Sequence, residues 1–274
     1  MDRDDCVLFV NSTPAYYYIL PLFFRLLRRY APSLKWAVIL ATEEPWHPVC
    51  QEVSKKFGVE LLTIPQASKG FLESRLATLE HLLSRFTYCF PLQEDFLLEM
   101  PMDRDAFVAL FSALDRNPLV ASARCMPCPG PSVKAPVHSE FPGWKTLGKT
   151  TDQYGFTFQA TLWRTVAAAE WYGQICATLD GICSKEAENA AARRKTIELT
   201  ENLAENPNGQ HEFWAWSAEK NYEHLAFERA GPQPNAVYLS PFPYRPTAIV
   251  RGRLEPWAEE LARREGVPIQ LLPQ

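Results

Sequence analysis

At 274 residues, with 47% hydrophobic and 22% charged side chains and a net charge of −4, the chain has the make-up of an ordinary globular protein. That balance argues against electrostatic binding of nucleic acid, since no stretch forms a basic footprint. The longest apolar run near the start, "AYYYILPLFF", is too short for a membrane span, contains Pro21 and leads into Arg25, Arg28 and Arg29.

Asp2, Asp4 and Asp5 stand where a secretory leader would carry positive charge, and seven scattered cysteines, an odd number, read as reduced thiols. Both features lead to the expectation of a cytoplasmic protein. Cys125 and Cys128 form a CxxC, but no second pair completes a zinc site, and Pro127 and Pro129 suggest a turn.

The first half of the chain alternates with a clear beat. "CVLFVN" (6–11) predicts a strand and 15–30 a helix interrupted by Pro21. A second strand (35–41), a helix (46–57) and a third strand (59–64) follow, the last cut off by Pro65. Leu72, Leu76, Leu79 and Leu83 recur at helical spacing within 70–85. "YCFPL" (88–92) predicts a fourth strand, in which Pro91 demands a bulge or the strand's last turn. Asp103 caps a helix whose Phe107, Leu110, Phe111 and Leu114 share one face, and "LVASA" (119–123) makes a fifth strand.

Beyond 124 the beat weakens. Residues 125–153 are rich in Pro, Gly and Ser and read as a loop or insertion. Residues 156–172 predict a strand running into a helix, 184–206 a solvated helix, 211–226 an aromatic-rich helix, 247–254 a late strand and 256–265 a closing helix. With no internal repeat or linker, 1–274 is read as a single domain.

Strands apolar throughout and separated by helices imply a mostly parallel sheet flanked by helices, an α/β fold of Rossmann type. Ligands of such sheets collect beyond the carboxyl ends of the strands. Three polar groups fall on that rim: Asn11-Ser12-Thr13, Thr42-Glu43-Glu44 and Gln93-Glu94-Asp95. The third stands out, because "FLLEM" follows at once and leaves two acids between apolar segments. A Mg²⁺ or Mn²⁺ ion takes most of its ligands from water and phosphate, so one or two such carboxylates suffice to hold it. Asp95 is the candidate metal ligand, and Glu94 the residue that positions the donor or the metal.

A rival motif is "GWKTLGKT" (143–150), which satisfies the phosphate-loop pattern G-x-x-x-x-G-K-[ST]. A phosphate loop needs a buried strand before it and a helix after it. Here "VHSEFP" precedes and "TDQYGFTF" follows, and neither fits. An ATPase or kinase built on Gly143–Thr150 remains an alternative, as does a catalytically silent binding protein.

The run "FLESRLATLEHLLSRFTYCFPLQEDFLLE" (71–99) resembles the helix, strand and DXD-type segment of GT-A glycosyltransferases, with QED in place of DXD. "YGFTFQATLWRT", "GQHEFWAW" and "AIVRGRL" resemble, in the same order, later segments of a bacterial and large-virus group of that fold. The resemblance implies a GT-A-like domain with a nucleotide-binding half (1–124) and an acceptor and catalytic half (154–274). It implies transfer of a sugar from a nucleotide-sugar donor, a UDP-sugar by the habits of the fold, to a glycan or other hydroxyl acceptor. Asn11, Ser12 and Thr13 would lie against the nucleotide, Glu43 against its ribose or base, and Arg75 near the base or diphosphate. Gln93 would belong to the donor site, and Gln159 and Trp163 would line the cleft, although core packing is the plainer reading of Trp163. Glu212 would be the general base of an inverting reaction, with His211 a possible further metal ligand and Arg251 a contact to diphosphate. The departures are a missing first Asp in QED and a missing second acid after Glu212. No membrane span is expected, and peripheral contact with a membrane-borne acceptor stays open.

Overall fold

The computed structural model describes residues 3–65, 71–116, 118, 120–125, 145–146, 158–173, 176–177, 236–238, 241–250 and 252–269. Four strands of the first half form the predicted parallel block. They are β1 (Cys6–Asn11), β2 (Ala37–Thr42), β3 (Glu60–Thr63) and β4 (Tyr88–Gln93), joined in the order β3-β2-β1-β4. The two-residue strand β5 (Leu97–Leu98) lies outside this sheet, and β6 (Ser122–Arg124) corresponds to the fifth strand expected at 119–123.

The second half completes the same sheet. β8 (Thr161–Arg164) inserts antiparallel between β4 and β6, followed by β9 (Ala236–Tyr238) and the edge strand β7 (Lys145–Thr146), to give eight strands in all. The fold is therefore mixed α/β with a mostly parallel central sheet flanked by helices. Among the described residues no helix is long and apolar enough to cross a membrane.

Side chains alternate between the two faces with the period of the strand. Cys6, Leu8 and Val10 of β1 enter one core, together with α1 (Leu20–Tyr30), α2 (Pro48–Phe57), α4 (Arg104–Arg116) and the last helix, α5 (Pro256–Glu265). Val7 and Phe9 enter a second core with α3 (Phe71–Leu82) and the helical residues 165–173. In the first core Trp36 meets the edges of Phe90, Phe107 and Phe111 at ring separations of 5.5–5.9 Å. Burying each such side chain contributes roughly 1.5–3 kcal/mol.

Proline and glycine account for three departures from the predicted elements. The helix expected across 15–30 divides at Pro21 into a 3-10 turn, Pro14–Ile19, and α1, because a proline has no N–H and clashes with the carbonyl four residues back. The Tyr17 carbonyl is instead bonded by the Leu20 N–H. Pro91 sits inside β4, in register with Phe9, rather than at a bulge or end. Tyr88 donates its N–H toward β1, to the Asp5 carbonyl, so by alternation Pro91 faces the β8 flank. Pairing with β8 ends at Cys89, so the missing N–H interrupts nothing. The late strand expected at 247–254 is a tight hairpin, β10 (Ile249–Val250) with β11 (Arg253–Leu254), with Gly252 at φ 73° between them.

Cys125 is fully buried, with its thiol against the Ala123 carbonyl, so it is not presented for metal or redox chemistry. The polar helices expected at 184–206 and 211–226 lie outside the described residues.

Candidate functional site

Parallel pairing brings the carboxyl ends of β1, β2 and β4 to one edge, with Asn11 in register with Gln93 and with Ala41. All three predicted polar groups therefore share one rim. Each has a local reason for its position. Asn11, buried at the end of β1, donates through Nδ2 to the Ser74 carbonyl (3.1 Å) and to Thr78 Oγ1 (2.9 Å), which ties the strand to α3. Ser12 donates its backbone N–H to the Ala41 carbonyl and its hydroxyl to Glu94 Oε1 at 3.2 Å. Thr13 starts the 3-10 turn by accepting from the Tyr16 N–H. Thr42 Oγ1 bonds the Tyr17 hydroxyl and accepts from the Glu44 N–H, which fixes the loop that carries Glu43.

The acids follow directly on β4. Glu94 and Asp95 are half-buried by the surface they expose, yet protein surrounds them on most sides. Burial, and secondarily the Asp95 charge, pushes the Glu94 carboxyl up to about 8, against the pull of its own N–H, the Ser12 hydroxyl and Arg75. Burial likewise raises Asp95 to about 6, partly offset by the backbone N–H groups of Asp95 itself and of Ile249. The C-terminal hairpin thus closes over the acidic turn, and the Asp95 carbonyl accepts from the Ala248 N–H at 3.2 Å. Thr247, just before, holds φ at 64°, a strained value for a β-branched residue.

Arg75 reaches this region from α3. It is wholly buried, packs over the Phe71 and Phe9 rings at 4.7 and 5.4 Å, and gives Nη2 to the Leu92 carbonyl at 2.7 Å. Burial lowers its pKa, while Tyr172 and Glu94 act in the opposite direction. Gln159 lies one contact further out. Its Oε1 accepts from the Tyr244 hydroxyl (2.6 Å), and the Tyr244 ring stacks on Phe96, the residue after Asp95, at 4.6 Å.

Trp163 is placed differently. It is only 2% exposed, in register with Cys89 inside the sheet, and its indole meets Trp171 edge-on. Here it packs in the second core against Trp171, and that packing closes it to solvent. His211, Glu212 and Arg251 lie outside the described residues, as does Lys149.

Seven buried side-chain nitrogen or oxygen atoms lack a hydrogen-bond partner among the described residues. Five lie at or just beneath this rim: Asn11 Oδ1, Tyr18 Oη, Arg75 Nε and Nη1, and Asp95 Oδ1. Folded proteins satisfy nearly all their buried polar groups, so this concentration makes the layer beneath the rim unusually polar for a buried one. Tyr18 has no signal in the sequence, where "AYYYIL" reads simply as apolar helix.

No three His, Cys, Asp and Glu side chains among the described residues gather into a metal site. The acid pair alone still fits a hard dication such as Mg²⁺ or Mn²⁺, which is satisfied by one or two carboxylates with water and phosphate. Of the pair, Asp95 is the one that burial raises less, and so the better anion for that role.

No family model matches the chain, and no curated protein matches it. Among solved structures, TarS of S. aureus aligns at 11% identity and TM-score 0.44, over 87% of this chain and 36% of that one. TarS 1-349 in complex with UDP aligns at 10% identity and TM-score 0.43, over 87% of this chain and 59% of that one. A 4-diphosphocytidyl-2C-methyl-D-erythritolsynthase from Anaerococcus prevotii aligns at 10% and 0.38, over 63% of this chain and 76% of that one. The chain thus spans 36% and 59% of the two TarS chains, under two thirds of each, and overlaps this loose transfer neither a fold family nor an activity.

Proposed function

We propose that the protein transfers a sugar from a nucleotide-sugar donor to a hydroxyl acceptor at the carboxyl rim of its parallel strands. One observation carries the reading most directly: an acid pair, Glu94-Asp95, stands at the end of a buried central strand, with the Ser12 hydroxyl on Glu94 and the buried Arg75 guanidinium beneath. The chemistry of that set suits a polyhydroxylated, phosphorylated ligand, because it offers both donors and acceptors in a place of reduced solvation. The QED segment's resemblance to the DXD region of GT-A transferases supports the same assignment, and the habits of that fold point to uridine as the base.

Asp95 would hold a Mg²⁺ or Mn²⁺ ion, whose chemistry there is to offset the charge of the departing diphosphate. Asn11, Ser12, Thr13 and Gln93 would line the nucleotide, Glu43 would contact its ribose or base, and Arg75 would supply positive potential from below. Gln159, aligned by Tyr244, would bond sugar hydroxyls. In an inverting reaction the acceptor oxygen attacks the anomeric carbon as the bond to diphosphate breaks. Glu212, assigned by resemblance alone, would take the acceptor's proton on a carboxylate oxygen. His211 and Arg251 would add a metal ligand and a diphosphate contact. The single-domain division, a cytoplasmic location and peripheral contact with a membrane-borne acceptor are parts of the same proposal.

The phosphate-loop alternative loses support from the backbone. Lys145 and Thr146, in the middle of that motif, form edge strand β7 and pair antiparallel with Tyr238 and Val237. A loop that wraps phosphate needs those N–H groups free and converging.

The test is thermal stabilisation by UDP, GDP, ADP and ATP, with and without Mn²⁺, on wild type, Asp95→Ala and Lys149→Ala. Ligand at a hundred times its Kd stabilises by ~2.7 kcal/mol. We expect a Mn²⁺-dependent shift with a nucleoside diphosphate, lost in Asp95→Ala and kept in Lys149→Ala. An ATP shift that depends on Lys149 would overturn the assignment.

A further inference from the structure

β2 leads into a tryptophan on the same rim that neither the sequence motifs nor the acid pair accounts for. Trp46 is 68% exposed, the one aromatic among the large apolar side chains that the described residues leave in water. Trp36, Trp163, Trp171 and Trp257 are all buried or half-buried. An indole left in water forfeits the free energy of its burial, so its place asks for a reason.

The backbone holds it there firmly. Glu44-Pro45-Trp46-His47 is a β-turn closed by the His47 N–H on the Glu44 carbonyl at 3.0 Å, and proline at its second position fixes φ. The turn is braced on both sides. The Glu44 N–H donates to Thr42 Oγ1, Gln51 Nε2 donates to the Pro45 carbonyl at 2.7 Å, and His47 Nδ1 caps α2 by accepting from the Val49 N–H. The His47 ring lies 4.8 Å from that of Tyr17, in the turn that leaves β1. The backbone beneath Trp46 is thus preset, and an indole has few torsions to order when something lies on it.

Neighbouring strands stand about 4.8 Å apart, so the end of β2 is about 10 Å along the rim from the end of β4 and its acids. A ligand that touches both is extended. Glu43 and Glu44 precede the indole and make its surroundings unfavourable for phosphate. A small ligand is held in a pocket that covers most of its surface, whereas an open platform suits one ring of a longer chain.

We propose that Trp46 is a stacking platform for a sugar ring of the acceptor, and that the acceptor is an uncharged glycan chain whose reacting hydroxyl lies at the acid pair. The C–H face of a pyranose packs on the indole while its hydroxyls stay in water. This rests on the nucleotide-sugar reading of the site for what the chain receives.

The probes are neutral pentasaccharides of glucose, galactose, mannose or N-acetylglucosamine, and UDP with Mn²⁺. Each is titrated by calorimetry into wild type, Trp46→Ala and Trp46→Phe, beside the thermal midpoint of the free proteins. We expect at least one pentasaccharide to bind wild type, to bind Trp46→Ala about tenfold more weakly and to bind Trp46→Phe within about threefold of wild type. UDP affinity and the midpoints stay unchanged. A pentasaccharide that binds Trp46→Ala as tightly as wild type, or a panel that does not bind wild type at all, overturns the platform. A loss for UDP in place of the sugars overturns it in favour of a nucleobase platform. Trp46-dependent sugar binding in a protein that takes no UDP leaves the platform standing and sinks the donor reading; UDP binding without sugar binding does the reverse.

Discussion

Glu94 shows how one residue's environment sets the pH response of the site. Its carboxyl titrates near 8 when folded and near 4.5 when free, so between those values the native state binds more protons than the unfolded one. Stability must then fall as pH rises through that window, and level off above it. Glu94→Gln keeps an acceptor for the Ser12 hydroxyl but carries no charge. It should melt close to wild type at pH 5 and above it at pH 8.5, by on the order of 2 kcal/mol, as followed by denaturant melts at both pH values. A variant that melts below wild type at both would mean that the carboxylate is already compensated. Asn11 illustrates the opposite case. Its amide nitrogen is spent on Ser74 and Thr78, which ties β1 to α3 and makes its place at the rim structural.

At the scale of the element, helix ends and turns hold the rim in place. Asp103 caps α4 by accepting from the Ala106 N–H at 2.9 Å through Oδ1. Asp103→Ala should cost ~1 kcal/mol, read as a lower midpoint in urea, with nucleotide binding unaffected. Gly58 closes α2 at φ 65°, where an L side chain would be strained. The Asp103 cap is visible in the sequence, and so are α2, α3 and α4. The division at Pro21 is visible in kind, since a proline there must interrupt the helix, but not in its outcome, a 3-10 turn that carries Tyr17. That outcome depends on Thr42, a residue of another strand, which anchors Tyr17.

Over the whole molecule, one sheet joins the two halves of the chain and carries a core on each face. Phe90 sits at the centre of the first core, edge-on to Trp36, Phe107 and Phe242 at 5.1–5.9 Å. Phe90→Ala should cost ~3–5 kcal/mol. In a protein of ordinary stability that is a large share of the total. Because β4 delivers the acid pair, ligand binding should weaken along with the denaturation midpoint; a normal midpoint would show that this core is looser than its packing implies. The closing segment is held in turn by Glu265, buried at the end of α5 and paired with Arg25 and Arg29 of α1.

The sequence alone determined the parallel beat of the first half and the rim of polar groups, because buried strands need unbroken apolar runs and their polar residues must fall at the ends. It also isolated Glu94-Asp95, since acids between apolar segments are conspicuous. Tertiary structure decided what no local pattern encodes. It inserted β8 antiparallel between β4 and β6 and buried Trp163. It brought Ala248 and Ile249 back over Asp95, and it left the Tyr18 hydroxyl buried without a partner. Those are contacts between residues far apart in the chain, set by how the two halves pack on one sheet, and no periodicity along a single segment records them.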